Sequence, residues 1–110
     1  VIESDNYGVH NMTTGNAVIN IYGGTITAPV IVRAATNGYD DQSADVYIKG
    51  GTFEGDMEEY TDNANIHVSG GVFDRPVAEE FCAEDYAPCD NGDGTYGVYG
   101  KEAVVSLYLA

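Results

Sequence analysis

The chain has no tryptophan, two leucines, two cysteines, three prolines and four basic side chains among 110 residues. So few leucines cannot line the seams of a helical bundle. Four Lys and Arg against 18 Asp and Glu leave a formal net charge of −14. That charge repels polyphosphate and anionic headgroups, so neither nucleic acid nor an acidic membrane surface is expected as a partner. No apolar run approaches the roughly 18 residues of a membrane-spanning helix, so no membrane insertion is expected. No signal-peptide pattern opens the chain, which starts at Val1 and therefore reads as a mature product or an excised piece of a larger protein.

What is abundant points the other way. Val (12), Ile (7) and Thr (8) suit pleated sheets, and 14 glycines interrupt helices and supply turns. A hydrophobic fraction of 44% is enough for a core despite the charge. The expectation is one all-β domain spanning 1–110.

One phrase occurs three times: Ile19-Asn20-Ile21-Tyr22-Gly23-Gly24-Thr25-Ile26, Val46-Tyr47-Ile48-Lys49-Gly50-Gly51-Thr52-Phe53 and Ile66-His67-Val68-Ser69-Gly70-Gly71-Val72-Phe73. Each copy reads apolar, polar, apolar, polar, Gly, Gly, small β-branched, large apolar. Period-2 alternation makes the first four residues a strand with one buried face. The Gly pair then bends the chain into a second short strand. Recurrence of the same residue types at the same phase is explained if copies stack in parallel. Ile19, Val46 and Ile66 then form one inward column, Ile21, Ile48 and Val68 a second, and Ile26, Phe53 and Phe73 a third. The copies are 27 and 20 residues apart. This spacing predicts a right-handed parallel β-helix, a solenoid of three to four rungs over 1–74.

Between the copies, Val30-Ile31-Val32 reads as a further strand and Tyr7 to His10 as a partial first rung. Asn37 to Asp41 and Glu54 to Glu59 read as outer loops. After Phe73 the pattern changes. Pro76 near a first turn, Glu79 and Glu80, and Val77 and Phe81 four apart predict one or two helical turns over 75–82. Asn91-Gly92-Asp93-Gly94 between Tyr86–Asp90 and Thr95–Tyr99 predicts a β-hairpin. Ala103, Val105, Leu107 and Leu109 alternate as a last strand. Residues 75–110 are thus expected to lie across the solenoid end as a cap. The beginning has no matching cap, which points to a larger parent protein and to weak self-association through the N-terminal rung, opposed at low salt by the charge.

The repeats ending Gly-Gly-Thr-Ile and Gly-Gly-Thr-Phe, followed by Phe81-Cys82-Ala83-Glu84-Asp85-Tyr86 and Asn91-Gly92-Asp93-Gly94-Thr95-Tyr96, resemble secreted or cell-surface β-helix proteins of gut-dwelling Gram-positive bacteria. In that group an ISGGTF-like repeat runs along the solenoid and a YCADGY…NGDGTYTV-like passage closes it. The resemblance covers roughly residues 18 to 99 and implies a right-handed parallel β-helix displayed outside the cell. It transfers no functional residue. Tyr22 and Lys49 stand where Ser is frequent in the group, and Cys89 is an addition to its pattern.

In an extracellular setting Cys82 and Cys89 form a disulfide candidate. Such a bond would clip the capping helix to the hairpin and contribute about 2.5 kcal/mol. The alternative is two unlinked thiols, since closeness in sequence does not ensure the required Cβ geometry. Asp90 to Gly94 lacks the ligand spacing of a calcium loop and reads as a turn. The acids Asp56, Glu58, Glu59 and Asp62 read as solvated rather than as a cation site. No metal or other cofactor is expected. Asn11-Met12-Thr13 matches a glycosylation sequon without consequence in a bacterial protein.

Outward strand positions fall into two columns, Asn20, Tyr47 and His67, and Tyr22, Lys49 and Ser69. Neither holds a carboxylate, whereas glycosidases need two facing each other. The scattered Arg33, Lys49, Arg75 and Lys101 do not form the basic cluster that a polysaccharide lyase would use on an acidic sugar. No catalytic residue is assigned. Tyrosines beside hydrogen-bonding groups on a flat sheet suit stacking on a sugar or burial in a protein contact. The expected role is therefore a non-catalytic extracellular or cell-surface module for display, adhesion or recognition of a glycan or host protein, through Asn20, Tyr22, Tyr47, Lys49 and His67. The alternatives are a structural spacer and a fragment of a polysaccharide-degrading enzyme.

Overall fold

The computed structural model of the chain describes residues 1–13, 16–36, 43–59 and 63–102, with residues 10–13 described in the backbone alone. The last strand expected over Ala103 to Leu109, the outer loop expected over Asn37 to Asp41, and Asp62 lie outside the described residues. Among the described residues ten strands follow in order: β1 (Ile2–Glu3), β2 (Tyr7–Thr13), β3 (Asn16–Ile21), β4 (Thr25–Thr36), β5 (Ser43–Ile48), β6 (Thr52–Glu59), β7 (Ala64–Val68), β8 (Val72–Phe73), β9 (Tyr86–Asp90) and β10 (Tyr96–Gly100).

The first half of each repeat copy makes one sheet, in the order β3-β5-β7, all parallel. Ile19 is in register with Val46 and Val46 with Ile66, while Ile21, Ile48 and Val68 make the next column. The second halves make another sheet, in the order β1-β4-β6-β8-β10-β9, with β2 beside β4. Ile2, Ile26, Phe53 and Phe73 line up across it. The core lies between these apolar columns. Val46, Ile48 and Val68 are wholly buried, and the Phe53 and Phe73 rings stack with centroids 5.1 Å apart. Alternation with period 2 is visible in the burial of β5, where Ala44, Val46 and Ile48 are buried and the residues between them are half-buried.

The Gly pair serves two purposes. Its second member takes positive φ, +98° at Gly24, +119° at Gly51 and +104° at Gly71, a region that side chains disfavour. Its first member lets copies approach: a Cβ on Gly50 would meet the Tyr22 carbonyl oxygen at 2.5 Å, and one on Gly70 would overlap the Lys49 carbonyl oxygen. Hydrogen bonds therefore continue from copy to copy through the bend. Lys49 N–H donates to Ile21 O at 2.8 Å, Thr52 N–H to Gly24 O at 2.8 Å and Val72 N–H to Gly51 O at 2.9 Å.

This architecture corrects the expected right-handed parallel β-helix of three to four rungs. The strands form two open sheets, one wholly parallel and one of mixed parallel and antiparallel pairing, and neither closes into a solenoid. The reason lies in what surrounds the repeat. Twelve-residue β4 and eight-residue β6 pair well past the repeat, whereas two-residue β8 pairs with β6 at the repeat positions alone, and β4 passes β6 through two register shifts around Ala28 to Ile31. The expected cap is corrected as well. The hairpin β9–β10 does not lie across an end; β10 pairs antiparallel with β8, Tyr96 opposite Phe73 and Gly97 opposite Val72, and so prolongs the sheet. Of the one or two helical turns expected over 75–82 there is one, a 3₁₀ turn at Glu79–Phe81, flanked by extended Ala78 and Cys82. Cys82 then bridges to Val68 at the edge of the three-stranded sheet, and Ala83 N–H donates to Val68 O at 2.8 Å.

Candidate functional site

Parallel pairing of β3, β5 and β7 brings the outward residues of three copies onto one face. Asn20, Tyr47 and His67 are register partners, and Tyr22 and Lys49 follow just past the strand ends. All five residues singled out by the sequence are therefore neighbours. Tyr47 and His67 stack with ring centroids 4.5 Å apart and an interplanar angle of 14°. The Lys49 Nζ sits between two rings, 5.1 Å from the Tyr22 centroid and 5.8 Å from that of Tyr47. Tyr22 is 71% exposed, whereas Tyr47 and His67 are half-buried. The strip thus runs from a self-stacked pair to an open ring. Cation–π contacts of this exposed kind contribute about 0.5–1 kcal/mol each.

Sequence reasoning missed Asp45. The outward column one step earlier, Val18, Asp45 and Asn65, does contain a carboxylate, and Asp45 Oδ1 lies 3.0 Å from His67 Nε2. The signal was available in the parity of β5, since Asp45 precedes Tyr47 by two residues and so shares its face. This contact orients the imidazole and leaves its plane free to stack on Tyr47. A single carboxylate does not make the opposed pair that glycosidic cleavage needs.

Of the acids considered for a cation, the three that are described are engaged elsewhere. Asp56 accepts from Arg75 Nη1 at 2.9 Å, Glu58 pairs with Arg33 Nε at 3.7 Å, and Glu59 accepts from Ile66 N–H at 2.7 Å. Among the described residues no group of three or more His, Cys, Asp or Glu is placed to hold a metal ion. Arg75 also grips Asp74 with two bonds, at 3.0 and 2.9 Å, and Gly55 N–H donates to the same carboxylate at 3.2 Å. The guanidinium beside Asp74 holds that carboxyl below its ordinary value, against the opposing effect of burial.

No S–S bond joins the disulfide candidates Cys82 and Cys89 in this structure. Cys82 is held at the edge of the three-stranded sheet, with Sγ 3.7 Å from Ala78 O, while buried Cys89 belongs to β9 in the other sheet, with Sγ 3.5 Å from Asp90 O. Burial, with the nearby Glu79 charge, pushes the Cys82 thiol up.

A groove of about 410 Å³ lies away from the aromatic strip, lined by Val30, Met57, Phe73, Val77 and Phe81 together with Arg75 and Asp56. Among the described residues no helix is long and apolar enough to cross a membrane. Comparison with known proteins finds no matching family model, no similar curated protein and no similar solved structure.

Proposed function

We propose that the chain is a non-catalytic recognition module of the cell surface or extracellular space, and that the outer face of the three-stranded sheet contacts a glycan or a host surface protein. The observation that carries this reading is the open Tyr22 ring, with the Lys49 ammonium 5.1 Å from its centroid and Asn20 exposed two residues before it. A flat ring flanked by a cation and an amide offers stacking on the C–H face of a sugar together with hydrogen bonds to its hydroxyls. Display outside the cell is part of the same proposal. It draws on the resemblance of the repeats and does not lean on a disulfide.

The test is a glycan array and a pull-down from host surface proteins, run with the parent chain and a Tyr22→Ala/Tyr47→Ala double variant. Binding by the parent and at least about tenfold weaker binding by the double variant is the expected result. Two blank screens, or equal binding by both chains, overturns it.

One observation favours the structural spacer. Tyr47 already spends a ring face on His67, and Lys49 stands over both tyrosines, so the strip stabilises itself without a ligand. Replacing the module with an unrelated one of equal length separates the readings, since a spacer tolerates the exchange and a recognition module loses its ligand.

A further inference from the structure

Strand β3 is bonded on one side only, to β5, and forms an edge of its sheet among the described residues. Its inner face is less well covered than those of its neighbours. Ala17 and Ile19 are half-buried, while their register partners Ala44 and Val46 are wholly buried. Val18, on the outer face, is 60% exposed. An apolar, regular edge of six residues is a template for another strand.

Two details say which strand. Gly50 and Gly70 have no Cβ because the carbonyl of the preceding copy stands where it would be, yet nothing lies within 4 Å of a Cβ built on Gly23, and Gly23 does not take the positive φ of its neighbour Gly24. Among the described residues neither the backbone nor a contact calls for glycine there. A strand laid parallel on β3 in the register that β3 keeps with β5 would bring a carbonyl to that spot. The second detail is at the start of the other sheet. Ile2 pairs with Ile26 and Glu3 with Thr27, so Val1-Ile2 occupies the places of Thr25-Ile26, Thr52-Phe53 and Val72-Phe73. The second half of a repeat is thus already seated ahead of β3.

We propose that the β3 edge is an acceptor for one strand of the repeat's own pattern, alternating apolar and polar residues ending in Gly-Gly, running parallel to β3 and leading into Val1. Continuity with the β3–β5 and β5–β7 pairings sets the geometry, and Gly23 is the position that admits it. The inference is independent of the recognition reading, although such a strand would bring two more outward side chains beside Asn20 and Tyr22.

The experiment adds a copy of residues 44–51 directly ahead of Val1 and compares it with the same eight residues in scrambled order. The ordered extension raises Tm by about 4–8 °C and slows amide exchange of residues 17–22 by roughly tenfold or more. Gly23→Ala leaves Tm of the parent chain unchanged and lowers that of the extended chain by several degrees. In a second measurement the free ordered octapeptide, titrated into the parent chain, shifts the β3 amide resonances and the scrambled one does not. Equal effects of ordered and scrambled extensions, equal effects of Gly23→Ala in both chains, or protection of β3 by dimerisation of the parent chain alone overturns the proposal.

Discussion

The rings of Phe53 and Phe73 lie one on the other, inclined by 29°, although the residues belong to different copies of the repeat. Each is the large apolar residue that follows a Gly pair, and each is almost completely buried. Their contact couples β6 to the short β8, and β8 in turn carries the hairpin. Phe73→Ala is therefore expected to cost about 3–5 kcal/mol and to loosen β9 and β10 along with β8. Urea unfolding measures the cost, and amide exchange in 86–100 shows whether the hairpin loosens with it.

Close approach at the first glycine of a pair makes a sharper prediction. Gly70→Ala drives a methyl group into the Lys49 carbonyl and should destabilise by about 1–3 kcal/mol. Gly100→Ala, where nothing lies within 4 Å, serves as the matched control and should stay within about 0.5 kcal/mol of the parent. Similar losses at both sites would contradict the packing described here.

Acid sensitivity follows from the Arg75 clip. Folding lowers the Asp74 carboxyl below the ordinary 3.8, so its contribution to stability is fully present above that pH and is lost as the pH falls through the lower folded value. Asp74→Asn should be less stable than the parent at pH 6, with the gap closing as the pH approaches 2. Urea midpoints across that range test the sign. A gap that widens in acid refutes it.

The thiols offer a chemical check. Burial raises Cys82 above the ordinary 9.0, so its thiolate is scarce at neutral pH. Iodoacetamide should label Cys82 more slowly than a free peptide thiol at pH 8. The disadvantage should shrink as the pH rises past 9. Unfolding without reductant should expose two titratable thiols, and finding none would indicate a Cys82–Cys89 bond.

Much of the local structure is legible in the residues. Ile19-Asn20-Ile21 and its two counterparts alternate so regularly that strand, inner face and stacking partner all follow, and the aromatic strip follows with them. Asn91-Gly92-Asp93-Gly94 likewise marks the turn between β9 and β10. What was not legible depends on distant partners. Nothing local in Tyr96 and Gly97 says that they pair with Phe73 and Val72, and that pairing turns a parallel stack into a mixed sheet. The twelve-residue length of β4 was hidden by Pro29, which is exposed beside the register shifts and does not end the strand. The Asp45–His67 pair escaped because its members are 22 residues apart and meet only when β5 and β7 are side by side.

Strand reversal at β10 has a consequence for how molecules meet. Beyond it the last strand, β9, carries Pro88, which has no amide hydrogen to give a neighbour. Among the described residues the sheet ends there and so discourages addition at its far side, while β3 is an open edge of its own sheet. Fibre growth needs a second sticky side, and the proline removes the readiest one.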